Sequence, residues 1–343
     1  EPGLVAWTPP SGAAPDYTLP ANSKVLIDAD ATVGNVVIPA DSELVFANAD
    51  VELIAASISV LGRLRIGSRT CRFGSTKTAR ITLTGAASDP AASSALHKGI
   101  VASGSGSIEM YGALRQPTWT RLATTDAAGD TTIVLYECVE WAAGDVLLIT
   151  TTHAEDHRRH NRNEKRTVSA VECDERTVDG ATRSFGKVTL ASALSYSHYA
   201  ARGEYQAEVA LISRNVVVRG DATSAPTDTQ PANTICADTK RSDVPCAPSY
   251  TCEVNGASSS NCGPYYLTGH GGHLMAGDSS TAKISSVEFH RMGRTNEVGR
   301  YPVHLHMLGT GGVDSFVSDC SVHESYYRAF VVHSTNNTLV TRN

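Results

Sequence analysis

The first hundred residues carry the apolar runs KVLI, NVVI, ELVF, VELI, SISV, RLRI and ARITL in quick succession, separated by Gly, Asp, Asn, Ser and Ala. Such density leaves room only for short strands and tight turns, and helical periodicity is nearly absent, so the fold class is all-β. Hairpin signals such as Asn-Gly between alternating strands are scarce, which favours stacked β-coils over a sandwich.

The 343 residues are 41% hydrophobic and 19% charged, enough to bury a large core. The net charge of -6 comes with no basic run and no aromatic-interleaved basic patch, which excludes nucleic acid as a partner. No stretch approaches the roughly 18 consecutive apolar residues of a membrane span. The N-terminus EPGLVAWTPP lacks the charged region and apolar core of a signal peptide, so any leader has been removed. The last residues, NNTLVTRN, read as mid-strand, which implies a longer protein and confines membrane contact to a part beyond Asn343.

Of eight cysteines, Cys236, Cys246, Cys252 and Cys262 crowd into a polar segment at gaps of ten, six and ten. A zinc knuckle needs two Cys pairs two to four residues apart, so disulfides fit these four better. Cys71, Cys138, Cys173 and Cys320 are scattered and read either as disulfides or as buried thiols. Asn336 opens an Asn-Asn-Thr sequon, a glycosylation acceptor in a secreted chain. Together these features point to a secreted or cell-surface compartment.

From Trp119 to Ala200 the pattern changes to longer alternating strands and a charged run, AEDHRRHNRNEKR, which reads as a solvated surface. His153, His157 and His160 lie in or beside it, but the flanking basic residues repel a cation. Asp145, after Gly144, reads as a turn residue bonding to backbone, with calcium binding as the alternative. The isolated His97 and His198 read as structural. The pattern divides the chain into a leading domain, 1–203, and a second, 204–343, that carries a Cys-rich insertion at 221–265.

In the second part GGHLMAG, VHLHMLGTG and FVVHSTNN align so that His273, His306 and His333 coincide, 33 and 27 residues apart. A separate alignment of KISSVEFH with FVSDCSVH sets His290 over His323, also 33 apart. Two compatible periods are the signature of a parallel β-helix, whose rungs lie about 4.8 Å apart. His304 shares the face of His306, because side chains two apart on a strand point the same way. It has no histidine counterpart in the neighbouring coils, so a structural ladder explains His306 better than His304.

DSELVFANADVELIAASISVLGRLRIGS, HKGIVASGSGSIEMYG, TWTRL and VEWAAGDVLLITTT, then EVALISRNVVVRGD, GGHLMAG, VEFHRMGR, GRYPVHLHMLG and SDCSVHESYYRAFVVHSTNNTLVTRN, cover nearly the whole chain. In that order they resemble the family of the cell migration-inducing and hyaluronan-binding protein, its transmembrane hyaluronidase relative, and fibrocystin. The resemblance implies a glycine-rich domain of the eight-glycine (G8) type leading into a right-handed parallel β-helix. It also implies an extracellular or cell-surface protein linked to hyaluronan, with calcium as a cofactor in at least one member. Partners are then extracellular polysaccharide or cell-surface proteins.

Two functions stay open: engagement of a polysaccharide, extending to degradation of a hyaluronan-like glycan, and a non-catalytic structural or adhesion module. Glycoside hydrolysis needs two carboxyl groups, for which Glu288 and Asp319 are the candidates, one coil apart. Lyase chemistry needs a base, a proton donor and a cation, which Arg300, Tyr301 and His304 or His306 supply. Metal chemistry would use His273, His304, His306 and His333, imidazoles that suit zinc or copper better than calcium. Stacked rings packed for structure alone are the plain alternative.

Overall fold

The computed structural model describes residues 3–8, 12–153, 162–178, 180–200, 205–225, 252–254, 257–259, 269–295 and 297–343. It is nearly all strand, as the apolar runs require, and none of its described helices is long and apolar enough to cross a membrane. Packing divides the chain into two compact units.

The first unit comprises Glu1–Gly112, Asn215–Val317 and Val322–Leu339. One ladder runs through Leu4–Ala6, Lys24–Ile27, Glu43–Phe46, Arg63–Ile66, Ser107–Tyr111 and Thr281–Ser285, each pair parallel. A second sheet branches at the long strand Val51–Val60. Its first half pairs with Ala79–Leu83 and its last residues with Gly99–Ala102, so it feeds two further ladders. One continues through Val216–Gly220 and Val287–His290, the other through His273–Gly277, Val303–Gly309 and Phe330–Thr335. Three ladders stacked rung on rung are the sides of a parallel β-helix.

Strand alternation sends every second residue inward, and the parallel register lines those residues into columns. Val25, Leu44, Leu64, Ile108 and Ala282 are consecutive partners in one column, all at most 3% exposed. Ile66, Met110 and Ile284 form the next, all fully buried. Between ladders the backbone turns through left-handed residues, among them Ser286 (φ 57°), Arg291 (φ 54°), Asp319 (φ 60°) and Glu324 (φ 50°). Non-glycine residues adopt this region rarely. Here Ser286 and Asp319, and likewise Arg291 and Glu324, are 33 residues apart, because each coil bends at the same place.

The second unit comprises Ala113–Arg214, Ser318–Ser321 and Val340–Asn343. It carries a six-stranded sheet in the order Trp119–Arg121, Glu208–Leu211, Val146–Ile149, Glu164–Val178, Ala181–Leu190 and Thr132–Leu135, its strands antiparallel. A bridge between Leu122 and Leu135 joins the two ends and closes the sheet around Ile133, Leu147, Val188, Val209 and Trp141. Cys138 and Cys173 form a disulfide. Asp145 accepts the amide of Ala142 at 2.8 Å, the turn role its sequence position suggests. His198 is a core histidine with both ring nitrogens engaged, by the Thr150 carbonyl and the Glu164 carboxylate. His153 is exposed, and His157 and His160 lie outside the described residues.

Packing thus separates the chain at 112/113 and 214/215, whereas the sequence pattern divides it at 203/204. The leading coils and the later ones belong to one stack, since Ala79–Leu83 pairs directly with Val216–Gly220.

Asp126 in the second unit is 6% exposed and one of its carboxylate oxygens has no hydrogen-bond partner among the described residues. Burial, aided by the charge of Asp130, raises its pKa to about 7. A raised carboxyl pKa favours folding while the group is protonated, so this contribution is full below about pH 4 and is lost as pH rises through about 7. We expect Asp126→Asn to abolish that decline and to be more stable than the parent by roughly 1–3 kcal/mol at pH 7.5. Urea unfolding between pH 4 and 8 measures it.

Candidate functional site

The strand Val303–Gly309 places Leu305 in the core and turns His304 and His306 to the other face. His306 is the direct partner of His333 on the next rung, and the two rings lie 5.1 Å apart. His304 pairs with Met275 on one side and Val331 on the other, yet its ring reaches 4.8 Å from His306 and 6.4 Å from His333. One ring nitrogen from each of the three lies within 4.8 Å of the others. Burial, reinforced by the neighbouring histidines, lowers the pKa of His304 to about 4 and also lowers that of His306. His304 is therefore neutral at physiological pH. Tyr301 packs edge-on against His304 at 4.8 Å and stacks on Tyr327, and at 4% exposure it is part of the wall. Arg300, half-buried, has its pKa lowered by burial.

A second group lies on the adjoining ladder. His290 and His323 stack with rings 4.8 Å apart and 20° from parallel, the register that the sequence repeat predicts. His290 Nε2 meets Glu324 at 2.7 Å, and His323 Nε2 meets Glu288 at 3.1 Å. Behind them the same face carries Arg219, level with His290, and Glu52, Arg80 and Thr82, tied by the Arg219–Glu52, Arg219–Thr82 and Arg80–Glu52 contacts.

The third grouping is buried. The Lys98 ammonium, with no exposure, donates to the Gly85 carbonyl and to Asp221, each at 2.8 Å. The fully buried Arg294 guanidinium donates to the Ala92 and His97 carbonyls and pairs with Glu297. His97 bridges to Asp89 at 3.0 Å, and burial together with Arg294 and Lys98 lowers the pKa of His270 to about 3. Sequence reading gives this centre no role. Lys98 and Arg294 stand in ordinary polar surroundings along the chain, and only the coil stacking brings Asp221 to Lys98.

Several expected positions differ. Gly277, not His273, stands opposite His306. The slip is four residues, an even number, so alternation along the strand cannot reveal it. His273 is instead fully buried, its Nε2 2.9 Å from the Ala95 carbonyl and its ring seated on Gly99, where an added Cβ would lie 2.4 Å from the imidazole. Asp319 does not share the face of Glu288. It occupies a left-handed corner, 1% exposed, where Arg342 Nε at 2.7 Å and Gln116 Nε2 at 2.7 Å hold its carboxylate. Asn336 sits exposed between the strands Phe330–Thr335 and Leu339–Thr341. Cys236, Cys246 and Cys262, and the side chain of Cys252, lie outside the described residues. Neither exposed donor group is rich enough in oxygen for calcium, which takes six to eight oxygen ligands.

The G8 domain model matches residues 6–123, and the CEMIP beta-helix model matches residues 269–343. The chain belongs to the family that joins these two domains. A G8 domain-containing protein of Dictyostelium discoideum is 32% identical over 99% of this chain and 26% of its own length. Human fibrocystin-L is 30% identical over 93% of this chain and 7% of its own length. Communication mutant protein F of Dictyostelium discoideum is 29% identical over 97% of this chain and 26% of its own. The chain spans about a quarter or less of these relatives. Both domains and the fibrocystin-L relatives fit a cell-surface or extracellular module.

In the buried centre, Asp221→Ala leaves the Lys98 ammonium without its carboxylate. We expect a loss of about 3–5 kcal/mol in urea unfolding, the usual result of breaking one side of a buried pair. The double change Lys98→Met with Asp221→Leu should cost markedly less.

Proposed function

We propose that this chain is the polysaccharide-engaging module of an extracellular or cell-surface protein, with the ladder face from Glu52 to His323 as the contact. The observation carrying the reading is the register of that face. Glu52 and Arg80 are neighbours on one line of the ladder, which passes through the buried Val217 to Glu288, and Thr82, Arg219 and His290 follow one another along the next, with His323 stacked beyond. With rungs about 4.8 Å apart, donors and acceptors recur along a straight strip roughly 20 Å long. A linear polymer with hydroxyl or carboxylate groups at a regular repeat can follow such a strip, and a hyaluronan-like glycan is the first to test.

The carboxylates favour engagement over cleavage. Glu288 is bonded to His323, Glu324 to His290, and Asp319 to Arg342. Degradation has one observation in its favour: the two Glu–His pairs stand side by side, each able to pass a proton. The exposed Asn336 is proposed as a glycosylation acceptor.

Calorimetric titration with size-defined oligosaccharides of hyaluronan, chondroitin and a neutral glucan tests the reading. Binding to a uronate polymer is expected, weakened at least tenfold by Arg219→Ala with His323→Ala, while polymer length stays constant over hours of incubation. Shortening of the polymer would replace engagement by degradation. Absence of binding to all three would leave the chain a structural or adhesion module.

A further inference from the structure

We propose that His304, His306 and His333 form a three-imidazole site for a divalent late transition metal, zinc or copper. The site stands apart from the polar ladder and does not depend on the glycan reading. Its first support is convergence, since one ring nitrogen from each residue lies within 4.8 Å of the other two.

The second support is independent. His304 is 4% exposed, and its Nε2 is buried without a hydrogen-bond partner among the described residues. Its Nδ1 lies 3.2 Å from the Gly299 carbonyl, so Nδ1 carries the proton and Nε2 keeps a lone pair. A backbone carbonyl that fixes the tautomer in this way is the usual outer support of a metal-bound histidine. An unpaired buried acceptor costs about 1–3 kcal/mol. His273 Nδ1 is unpaired in the same way, so the free nitrogen of His304 points to a ligand because His306 and His333 converge on the same place. His323, in the neighbouring group, uses its Nε2 on Glu288, while its Nδ1 is likewise buried without a partner among the described residues.

The three residues differ usefully in freedom. Tyr301 packs edge-on against His304, whereas His306 is half-buried and His333 exposed. Nitrogens bound tetrahedrally at about 2.0–2.1 Å from zinc lie roughly 3.3 Å apart, so the two accessible rings must swing inward by about 1.5 Å towards the fixed one. Rotation about their own side-chain bonds accomplishes that. On the preceding rung Gly277 stands opposite His306, and a Cβ there would meet the imidazole Nδ1 only at 4.0 Å. Nearby charges are of both signs: Asp278 acts on His306 and Arg300 on His304. Three imidazole nitrogens favour zinc or copper over calcium or magnesium.

The test uses the full 343-residue chain without a histidine tag, stripped with chelator and titrated calorimetrically with zinc chloride, copper chloride and calcium chloride in separate runs. One equivalent of zinc or copper is expected, with a rise in melting temperature on loading. His306→Ala with His333→Ala should lower that affinity at least tenfold. Both side chains reach solvent, so the apo melting temperature of this variant should stay within a few degrees of the parent. His304 is buried and its replacement can unfold the coil, so it is not the test residue. His323→Ala should leave affinity unchanged. The proposal is overturned by absence of stoichiometric zinc or copper uptake, by uptake that survives loss of His306 and His333, or by uptake that disappears with His323.

Discussion

Every feature of the first unit depends on parallel pairing in strict register, which converts alternation along each strand into columns across strands. Val25, Leu44, Leu64, Ile108 and Ala282 belong to five different strands yet form one continuous line of buried aliphatic carbon. A slip of one residue in any rung would expose its aliphatic set and bury its polar one. The same register aligns the outward side chains, so Arg219 stands level with His290 and His306 with His333. The polar faces are ordered because the core is.

This explains which parts of the molecule could be read in the sequence. Short apolar runs fix the all-β class, and the 33-residue repeat fixes the His290–His323 stack and the coil architecture. The pairing of His306 with His333 was also legible, since VHLH and FVVH align with each histidine fourth in its strand. The place of His273 was not, because a slip of four keeps every residue on its own face and changes only its neighbours. Asp319 was misplaced for a different reason: a left-handed corner reorients one residue without any mark in the polarity pattern. The Lys98–Asp221 pair was invisible, its members being 123 residues apart along the chain.

The histidines divide by environment rather than by position. His198 and His273 are fully buried, the former held by a carbonyl and a carboxylate and the latter by a carbonyl on one nitrogen. His290 and His323 are tied to carboxylates at the surface. His304 joins a buried ring to two accessible ones, an arrangement that neither a packed core nor a solvated surface requires. Imidazole chemistry, more than carboxylate chemistry, therefore sets this face of the helix apart.

The pairing of Ala79–Leu83 with Val216–Gly220 also bears on how the chain reaches its fold. Closing the intervening segment of more than a hundred residues as a free loop would carry a substantial entropic penalty and slow the search. Trp119–Arg121 and Glu208–Leu211 are, however, neighbours in the closed antiparallel sheet. Once that sheet has formed, the first and last strands of the inserted segment are paired, which shortens the effective loop between Ala79–Leu83 and Val216–Gly220. An inserted sheet that closes on itself thus lowers the entropic penalty of pairing the coils on either side of it.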